Sequence, residues 1–507
     1  MDDSEDPLSG LRQRIQAAFD PKLFEAMGHA LIARLFQQAE ATTSGESTVL
    51  NWHSPETNVA VARGSLTANL PTSTESLVER FQQLVSGALA RGHNLHNPKY
   101  IGHQVPAPVP IAGLFDAIGS ITNQVMAVYE MGPWATAIER ALIEKLGAQL
   151  GLEAGRFWGI VTHGGSLANL TALLTARNVM LRDVWEQGLA GSSRPPVLLA
   201  QADSHYCIAR SAGILGLGTK QVLKVPLDGR RRMNPRELDA MLTSLRKDQT
   251  PIVAVSASAC ATPIGAFDPL NEVADVCEKH GVWLHVDAAH GGAVAFSEKH
   301  RHLIEGIERA DSLICDAHKT LFVPALCAFV FYKDGQHRFE TFRQEAPYLF
   351  DPSAPGMAEY DSGTATLECT KRAAVYGLWG TWALFGPTLF RDMIDVTFET
   401  AARLHEMLRL ADDFETLHDP ECNIVVFRYL PKNHENWTKA EIGELNRRIR
   451  RQLIESGEFY IVQTNLDGIG ALRVCVMNPL TDESHCRKLL EAIRRLGSEN
   501  SRNVLSG

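Results

Sequence analysis

Lys319 and His318 stand side by side between two apolar runs, in the segment SLICDAHKTLFVP that covers residues 312–324. A lysine that ends a buried strand is in most proteins a surface group whose stem is covered and whose charge reaches water. The alternative is an amine partly withdrawn from water, whose pKa falls so that it can attack a carbonyl carbon. Taken alone, the segment favours the structural interpretation.

Asp287 ends the apolar run VWLHVD and is followed by two alanines. A carboxylate in that place is costly to desolvate unless a cation or a hydrogen-bond donor faces it. A helix cap or a turn residue is the plain alternative. The small Ala288 and Ala289 leave room for a flat group above the acid, which makes Asp287 a candidate partner for a cationic ring nitrogen.

The stretch HGGSLANLTALLTARN opens a helix with two glycines and a serine, directly after the run FWGIVT. Gly164 and Gly165 permit close backbone approach, and the free N–H groups of a helix start favour an anion, best a phosphate, near Ser166. His205 and Thr262 follow two further apolar runs, where an imidazole can face a planar ligand and a hydroxyl can reach it. Each signal is weak alone, since glycine turns and single histidines usually have structural roles.

These side chains together describe one ligand. They offer a phosphate site, a flat aromatic partner, a carboxylate for a ring nitrogen and an amine for an aldehyde. Pyridoxal 5′-phosphate carries all four complementary groups. The joint pattern is far more specific than any of its members, and it reverses the interpretation of Lys319.

The elements that must position these side chains are short apolar runs that alternate with helical segments from about residue 106. The runs are FWGIVT, PVLLAQ, QVLKVP, PIVAVSAS, VWLHVD, SLIC and CAFVFY. Continuous apolar strands separated by helices predict an α/β fold with a largely parallel sheet covered on both faces. Ligands bind such sheets at the carboxyl ends of the strands, where the candidate residues lie.

In chain order, GGS, His205, TxxG, HVDAAxGG and HK closely resemble the pyridoxal-phosphate-dependent group II amino-acid decarboxylases. The resemblance runs from about residue 96 to the end and includes HNPKYIGHQ, NQVMAVYEMGP and YDSGTATLECTKR. It implies a fold type I architecture and a homodimer with shared active sites. We expect a helical, dimer-packing N-terminal segment at residues 1–105, a large cofactor-binding domain with a mostly parallel sheet at 106–379, and a small C-terminal α/β domain at 380–507.

The resemblance implies a role for each matching residue. Lys319 matches the lysine that forms a Schiff base with the cofactor, Asp287 the partner of its pyridine nitrogen, and His205 the histidine stacked on its ring. The other implied cofactor contacts are Gly165, Ser166 and His318 near the phosphate and Thr262 and Ala289 along the ring. Tyr348, in EAPYLFDP, matches a loop tyrosine that protonates the carbanion left after CO2 departs, with an anchoring surface aromatic as the alternative.

Two residues depart from the family pattern. Asp316 stands where many relatives have an asparagine, and an acid pointing at the phosphate would repel it, so we assign Asp316 no phosphate contact. His163 replaces the usual small residue before the glycine pair. It either reshapes the phosphate end or faces away.

The implied reaction is decarboxylation of an L-amino acid to an amine and CO2. Arg473, in ALRVCVMNPLT, resembles an arginine that grips a substrate carboxylate, and it joins His103 and Gln104 of YIGHQ in the predicted substrate set. We expect an acidic substrate such as glutamate, aspartate or cysteine sulfinate. Gly102 and His103 look more like the L-2,4-diaminobutyrate decarboxylase branch, so that substrate stays open, as do transamination and oxidative decarboxylation on the same fold. The presence of Lys319 and the other cofactor residues argues against a non-catalytic interaction protein.

Composition limits the remaining possibilities. The 507 residues carry a net charge of -10, which argues against nucleic-acid binding, and no apolar run approaches the length of a membrane span. The acidic N-terminus lacks a signal-peptide pattern, so we expect a cytoplasmic protein. The 9 cysteines form no CxxC pair, which predicts buried free thiols rather than disulfides or a metal site.

Overall fold

The structure is a computed structural model that describes residues 8–66, 73–190, 194–342 and 359–505. In these ranges the α-helices α1 to α15 are, in chain order, Ser9–Ala18, Pro21–Thr43, Pro55–Ser65, Thr74–Arg91, Pro110–Ile121, Pro133–Gln149, Gly165–Met180, Val184–Gln187, Cys207–Ile214, Pro235–Lys247, Leu270–His280, Ala317–Thr320, Tyr376–Arg409, Lys439–Ser456 and Glu483–Leu505. The strands β1 to β13 are Val125–Met126, Trp158–Thr162, Val197–Gln201, Val222–Val225, Ile252–Ser258, Leu284–Asp287, Ser312–Asp316, Ala328–Tyr332, Lys371–Arg372, Phe414–Thr416, Ile424–Tyr429, Val462–Leu466 and Ile469–Cys475. Short 3₁₀ helices cover Tyr129–Met131, Thr219–Gln221, Gly292–Phe296, Arg301–Ile304, Ile307–Arg309, Gly335–Glu340, Ser362–Thr364 and His434–Asn436.

Helix boundaries follow from local chemistry that the sequence displays. Asn234 caps α10, since its side chain accepts a hydrogen bond from the backbone N–H of Arg236, and Pro235 fills the first helical position. Helix α7 begins at Gly165, after Gly164 turns the chain with a φ of 108°. Only glycine adopts that angle readily, so the glycine pair decides where α7 starts.

The central sheet has seven strands in the order β2-β8-β7-β6-β5-β3-β4. Strands β4, β3, β5, β6 and β7 run parallel to one another, and β8 is antiparallel to both of its neighbours, β2 and β7. Each of the seven apolar runs found in the sequence forms one strand of this sheet, and most of these strands are buried along their whole length. The predicted α/β fold with a mostly parallel sheet is confirmed.

A second, four-stranded sheet lies near the C-terminus in the order β10-β11-β13-β12, with all neighbours antiparallel. Helices α14 and α15 cover it through a separate apolar core that includes Ile449 and Leu489. Helices α1 to α4 make up the N-terminal part of the chain. The division at residues 105 and 379 stays a prediction, and helix α13 runs continuously across residue 379. In the described ranges, no helix has both the length and the apolar character that a membrane crossing requires.

Candidate active site

A cavity of about 340 Å³ opens where the parallel strands end, beyond Ser258 of β5, Asp287 of β6 and Asp316 of β7. Its size falls within the usual range of small-molecule sites. The sequence-predicted residues that line it are Gln104, Gly165, Ser166, His205, Thr262, Asp287, Ala289, His318 and Lys319. Most of these residues follow strands of the central sheet, so the fold brings them together at one edge of that sheet.

Three predicted site residues do not line this cavity. His103 is exposed and its ring lies 5.7 Å from the ring of Tyr460. Arg473 is buried on β13, in the smaller sheet. Tyr348 lies outside the described residues.

Asp287 is held by a chain of hydrogen bonds that reaches across the sheet. Its carboxylate accepts from the backbone N–H of Ala289 and from the Asn169 side chain, each at 3.1 Å. The Asn169 carbonyl oxygen lies 2.7 Å from Nε2 of His285, and Nδ1 of His285 lies 2.9 Å from the Ser312 hydroxyl. Burial lowers the pKa of His285 to about 4, so the ring is neutral and donates from Nε2 alone. Donors therefore fix the orientation of the Asp287 carboxylate.

Asn169 and His285 support Asp287 through these hydrogen bonds, and the sequence reasoning missed both. Both are almost fully buried polar residues in otherwise apolar surroundings. Asn169 interrupts the apolar helix sequence LANLTALL, and His285 lies two residues before Asp287 on the same face of β6. A buried polar side chain needs a partner, and that requirement is the signal that points to both residues.

Lys319 lies beside an acid. Its Nζ is 3.4 Å from Oδ2 of Asp316. Burial disfavours the charged amine, but the carboxylates of Asp316 and Asp287 outweigh burial and raise the pKa of Lys319 above its ordinary value. The expectation that burial lowers the pKa of Lys319 is therefore wrong for the cofactor-free chain, because that expectation did not include the carboxylate of Asp316.

Asp316 packs against the start of α7. Its carboxyl is 1% exposed, and a Cβ placed on Gly165 would lie 2.6 Å from Oδ2. Burial raises the pKa of Asp316, against the opposing effect of Lys319 and His318. Among the described residues Oδ1 of Asp316 has no hydrogen-bond partner. Asp316 thus lies at the same helix start that the sequence predicts as a phosphate site. Residue 165 must be glycine, because any larger side chain would clash with the Asp316 carboxylate.

The histidines around the cavity have distinct partners. Nδ1 of His205 accepts from the backbone N–H of Cys207 at 3.3 Å, and burial lowers the pKa of His205 although Asp287 opposes it. Nδ1 of His318 lies 2.8 Å from the carbonyl oxygen of Cys327. His163 also lines the cavity, and its Nδ1 lies 3.2 Å from Oε1 of Glu368. Glu368 is therefore the hydrogen-bond partner of this unusual histidine.

The donor set fits pyridoxal phosphate. An amine and a braced carboxylate face one cavity, and a helix start with two glycines adjoins it. A type I fold with this arrangement at its strand ends is that of a pyridoxal-phosphate enzyme.

Comparison with known proteins identifies the family. Residues 66–430 match the family model described as "Pyridoxal-dependent decarboxylase conserved domain". This chain belongs to that family and is a pyridoxal-phosphate-dependent amino-acid decarboxylase.

Individual relatives agree with the family assignment. The chain is 31% identical to "Acidic amino acid decarboxylase GADL1" of Homo sapiens over 386 residues, which cover 74% of this chain and 73% of the relative. The crystal structure of mouse CSAD superposes with a TM-score of 0.87 at 27% identity, covering 95% of this chain and 100% of that chain. The crystal structure of Oryza sativa TDC with PLP and tryptamine has a TM-score of 0.85 at 22% identity, covering 95% and 98% of the two chains, and shares the fold.

Proposed function

We propose that the enzyme decarboxylates an acidic L-amino acid and that Arg473 binds a carboxylate of that substrate. The observation that carries the proposal is the guanidinium itself, which is 5% exposed while Nε and Nη2 have no hydrogen-bond partner among the described residues. A buried, unpaired cation is costly, and a bidentate carboxylate satisfies it. The relatives named acidic amino acid decarboxylase support the same substrate class.

The position of Arg473 supports a role next to the cavity. Its charge acts on His290, which lines the cavity, and on His103. Gln104 lines the cavity itself and offers a neutral amide. We assign the substrate contacts to Arg473, Gln104 and His103.

We assign the cofactor contacts as the resemblance implies. Pyridoxal phosphate, when bound, supplies the electron sink for the bond to the departing CO2. Asp287, braced by Asn169, keeps the ring nitrogen protonated, and His205 covers the ring. Lys319 would hold the cofactor covalently through Nζ, and Tyr348 would supply the proton to the substrate carbon. The remaining contacts are Gly165, Ser166 and His318 for the phosphate and Thr262 and Ala289 for the ring.

We further propose that the protein is a cytoplasmic homodimer. Large apolar side chains are exposed along α1, α2 and α5, and they include Leu11, Ile15, Phe24, Ile32, Phe36, Leu114, Ile118 and Ile121. Such a surface is typical of an interface with another subunit. Light scattering coupled to gel filtration measures the mass directly, and a mass of one chain at micromolar concentration would overturn the dimer.

The test of substrate class is CO2 release from matched pairs of amino acids. Glutamate with glutamine, and aspartate with asparagine, differ only in the side-chain charge, and cysteine sulfinate and L-2,4-diaminobutyrate complete the set. We expect an acidic substrate to release CO2 far faster than its amide. Arg473→Met should lower kcat/KM for that substrate about 10- to 100-fold, since a charged hydrogen bond is worth about 1.5–3 kcal/mol. Arg473→Lys keeps the charge and should recover part of the loss.

Three results would overturn parts of this proposal. Preference for L-2,4-diaminobutyrate would exclude the acidic substrate. An aldehyde or ketoacid product instead of an amine would assign another pyridoxal-phosphate reaction to the fold. Turnover that persists unchanged in Lys319→Ala would exclude the covalent role of Lys319.

A further inference from the structure

Two thiols and an imidazole meet in the wall of the cofactor cavity. Cys260 follows β5, His290 follows β6 and Cys422 precedes β11 of the smaller sheet. All three are buried, with 8%, 2% and 3% of their surfaces exposed. One ligand atom of each lies within 4.8 Å of the other two, and the sulfurs of Cys260 and Cys422 are 4.0 Å apart.

The imidazole of His290 presents an unused lone pair. Its Nε2 lies 2.7 Å from Oδ1 of Asn423. The amide of Asn423 is oriented because its Nδ2 donates to the carbonyl oxygen of Val476 at 2.8 Å, so Oδ1 accepts and His290 donates from Nε2. In the neutral ring Nδ1 is then a bare acceptor, and it is buried without a hydrogen-bond partner among the described residues. A buried acceptor left unpaired is costly and calls for a ligand.

We propose that Cys260, His290 and Cys422 form a binding site for a thiophilic cation of the Zn²⁺ type. Zinc binds thiolates at about 2.3 Å, which in a tetrahedron separates two sulfurs by about 3.8 Å. The sulfur separation of 4.0 Å needs only a small adjustment to reach that value. Asn423 fixes the other ring nitrogen of His290, as outer-shell carbonyl groups do for metal-bound histidines.

The charges of the site select the kind of cation. Lys319 and Arg473 act electrostatically on His290, so a bare dication in this wall would be repelled. Two thiolates cancel a 2+ charge and leave a neutral complex, with two protons released to solvent on binding. Calcium and magnesium prefer oxygen ligands, which this cluster does not offer. Three protein ligands leave the fourth tetrahedral position for a water molecule.

A bound cation would join the two sheets at the active site. Cys260 and His290 line the cofactor cavity, whereas Cys422 belongs to the segment that leads into β11. A disulfide between Cys260 and Cys422 is the competing chemistry, but it requires an oxidant and closure of the sulfurs to about 2.05 Å, and it leaves Nδ1 of His290 unused.

The test is zinc content of the holoenzyme, kept reduced with a phosphine and dialysed against buffered Zn²⁺. We expect the wild type to hold one equivalent more zinc than Cys422→Ser or His290→Gln. The zinc affinity of these two variants should fall by more than about 100-fold, because each loses a direct ligand, which costs more than losing a residue that only orients a ligand. Asn423→Ala should weaken binding about 10- to 100-fold. Cys486→Ser, a buried cysteine of α15 outside the cluster, should hold as much zinc as the wild type.

A second measurement needs no variant. Alkylation followed by peptide mass spectrometry should show that Zn²⁺ protects Cys260 and Cys422 together, while Cys369, the half-buried thiol, reacts equally with and without zinc. Equal zinc in the wild type and Cys422→Ser, equal loss in Cys486→Ser, or alkylation of Cys260 and Cys422 that zinc leaves unchanged would each overturn the site. Protection that persists without zinc and ends only on stronger reduction would assign a disulfide instead.

Discussion

Replacing Asp316 with asparagine tests the acid that adjoins Lys319. The side chain keeps its shape, so the packing against Gly165 is preserved, but the charge 3.4 Å from Nζ of Lys319 is removed. Since that carboxylate is the largest of the effects that raise the pKa of Lys319, its removal should lower this pKa. The neutral amine, which is the form that attacks a carbonyl carbon, then becomes more populated at neutral pH.

The size of the effect follows from the separation of the charges. Two unit charges 4 Å apart interact by about 4 kcal/mol at an effective dielectric constant of 20. The amide of asparagine still accepts a hydrogen bond from Nζ, so we expect about half of this energy, ~2 kcal/mol, to be lost. At about 1.4 kcal/mol for each factor of ten, the neutral amine becomes about 30-fold more abundant.

The assay is the rate at which the cofactor-free enzyme combines with pyridoxal phosphate, followed by absorbance across a range of pH. In the wild type the rate should rise with pH as the amine loses its proton. In Asp316→Asn the rise should occur at lower pH, and the rate at neutral pH should be about 30-fold higher. Asp311→Asn is the matched control, because it removes the same charge just before β7, where the carboxylate faces Lys333 instead.

A rise at the same or higher pH in Asp316→Asn would refute this reasoning. A slower reaction at every pH would show that the carboxylate orients Lys319 for attack and that its orienting effect exceeds its effect on protonation. An equal change in Asp311→Asn would assign the effect to net charge rather than to the contact.

Further changes test the supports of the site and of the fold. Asn169→Ala removes the side-chain donor to the cofactor-facing carboxylate, so the dissociation constant for pyridoxal phosphate should rise about 10- to 100-fold; an unchanged constant would contradict a positioning role. Lys371→Met leaves Glu139 buried without its cation, so the free energy of unfolding should fall by about 3–5 kcal/mol in urea denaturation, whereas Lys299→Met, at an exposed pair, should change it by less than about 1 kcal/mol. Burial lowers the pKa of His285 from 6.5 to about 4, so between these two pH values the unfolded chain binds more protons than the folded chain. The melting temperature should therefore fall as the pH drops through this range. His285→Asn should make this pH dependence shallower, and an equal slope would exclude the contribution of His285.

The sequence alone determined the framework and the convergence of most cofactor residues. Seven apolar runs separated by helical segments identify the central sheet, because strand and helix periodicity are local properties of the chain. Asp287, Lys319 and the glycine pair stand directly after such runs, and in a parallel sheet the ends of the strands meet at one edge. Position relative to a strand end was therefore enough to predict many of the polar residues that line the cavity, although it missed Asn169.

Only the tertiary structure decided which of these groups touch. Asn169 reaches Asp287 across 118 residues of sequence, and Cys260 meets Cys422 across 162 residues. Contacts over such separations depend on how helices and sheets pack, and no spacing in the sequence encodes them. For the same reason the sequence gave Lys319 a lowered pKa, whereas the folded chain raises it. The charge state of a buried amine depends on the acids that packing brings within a few ångströms of it, and only the folded chain brings Asp316 there.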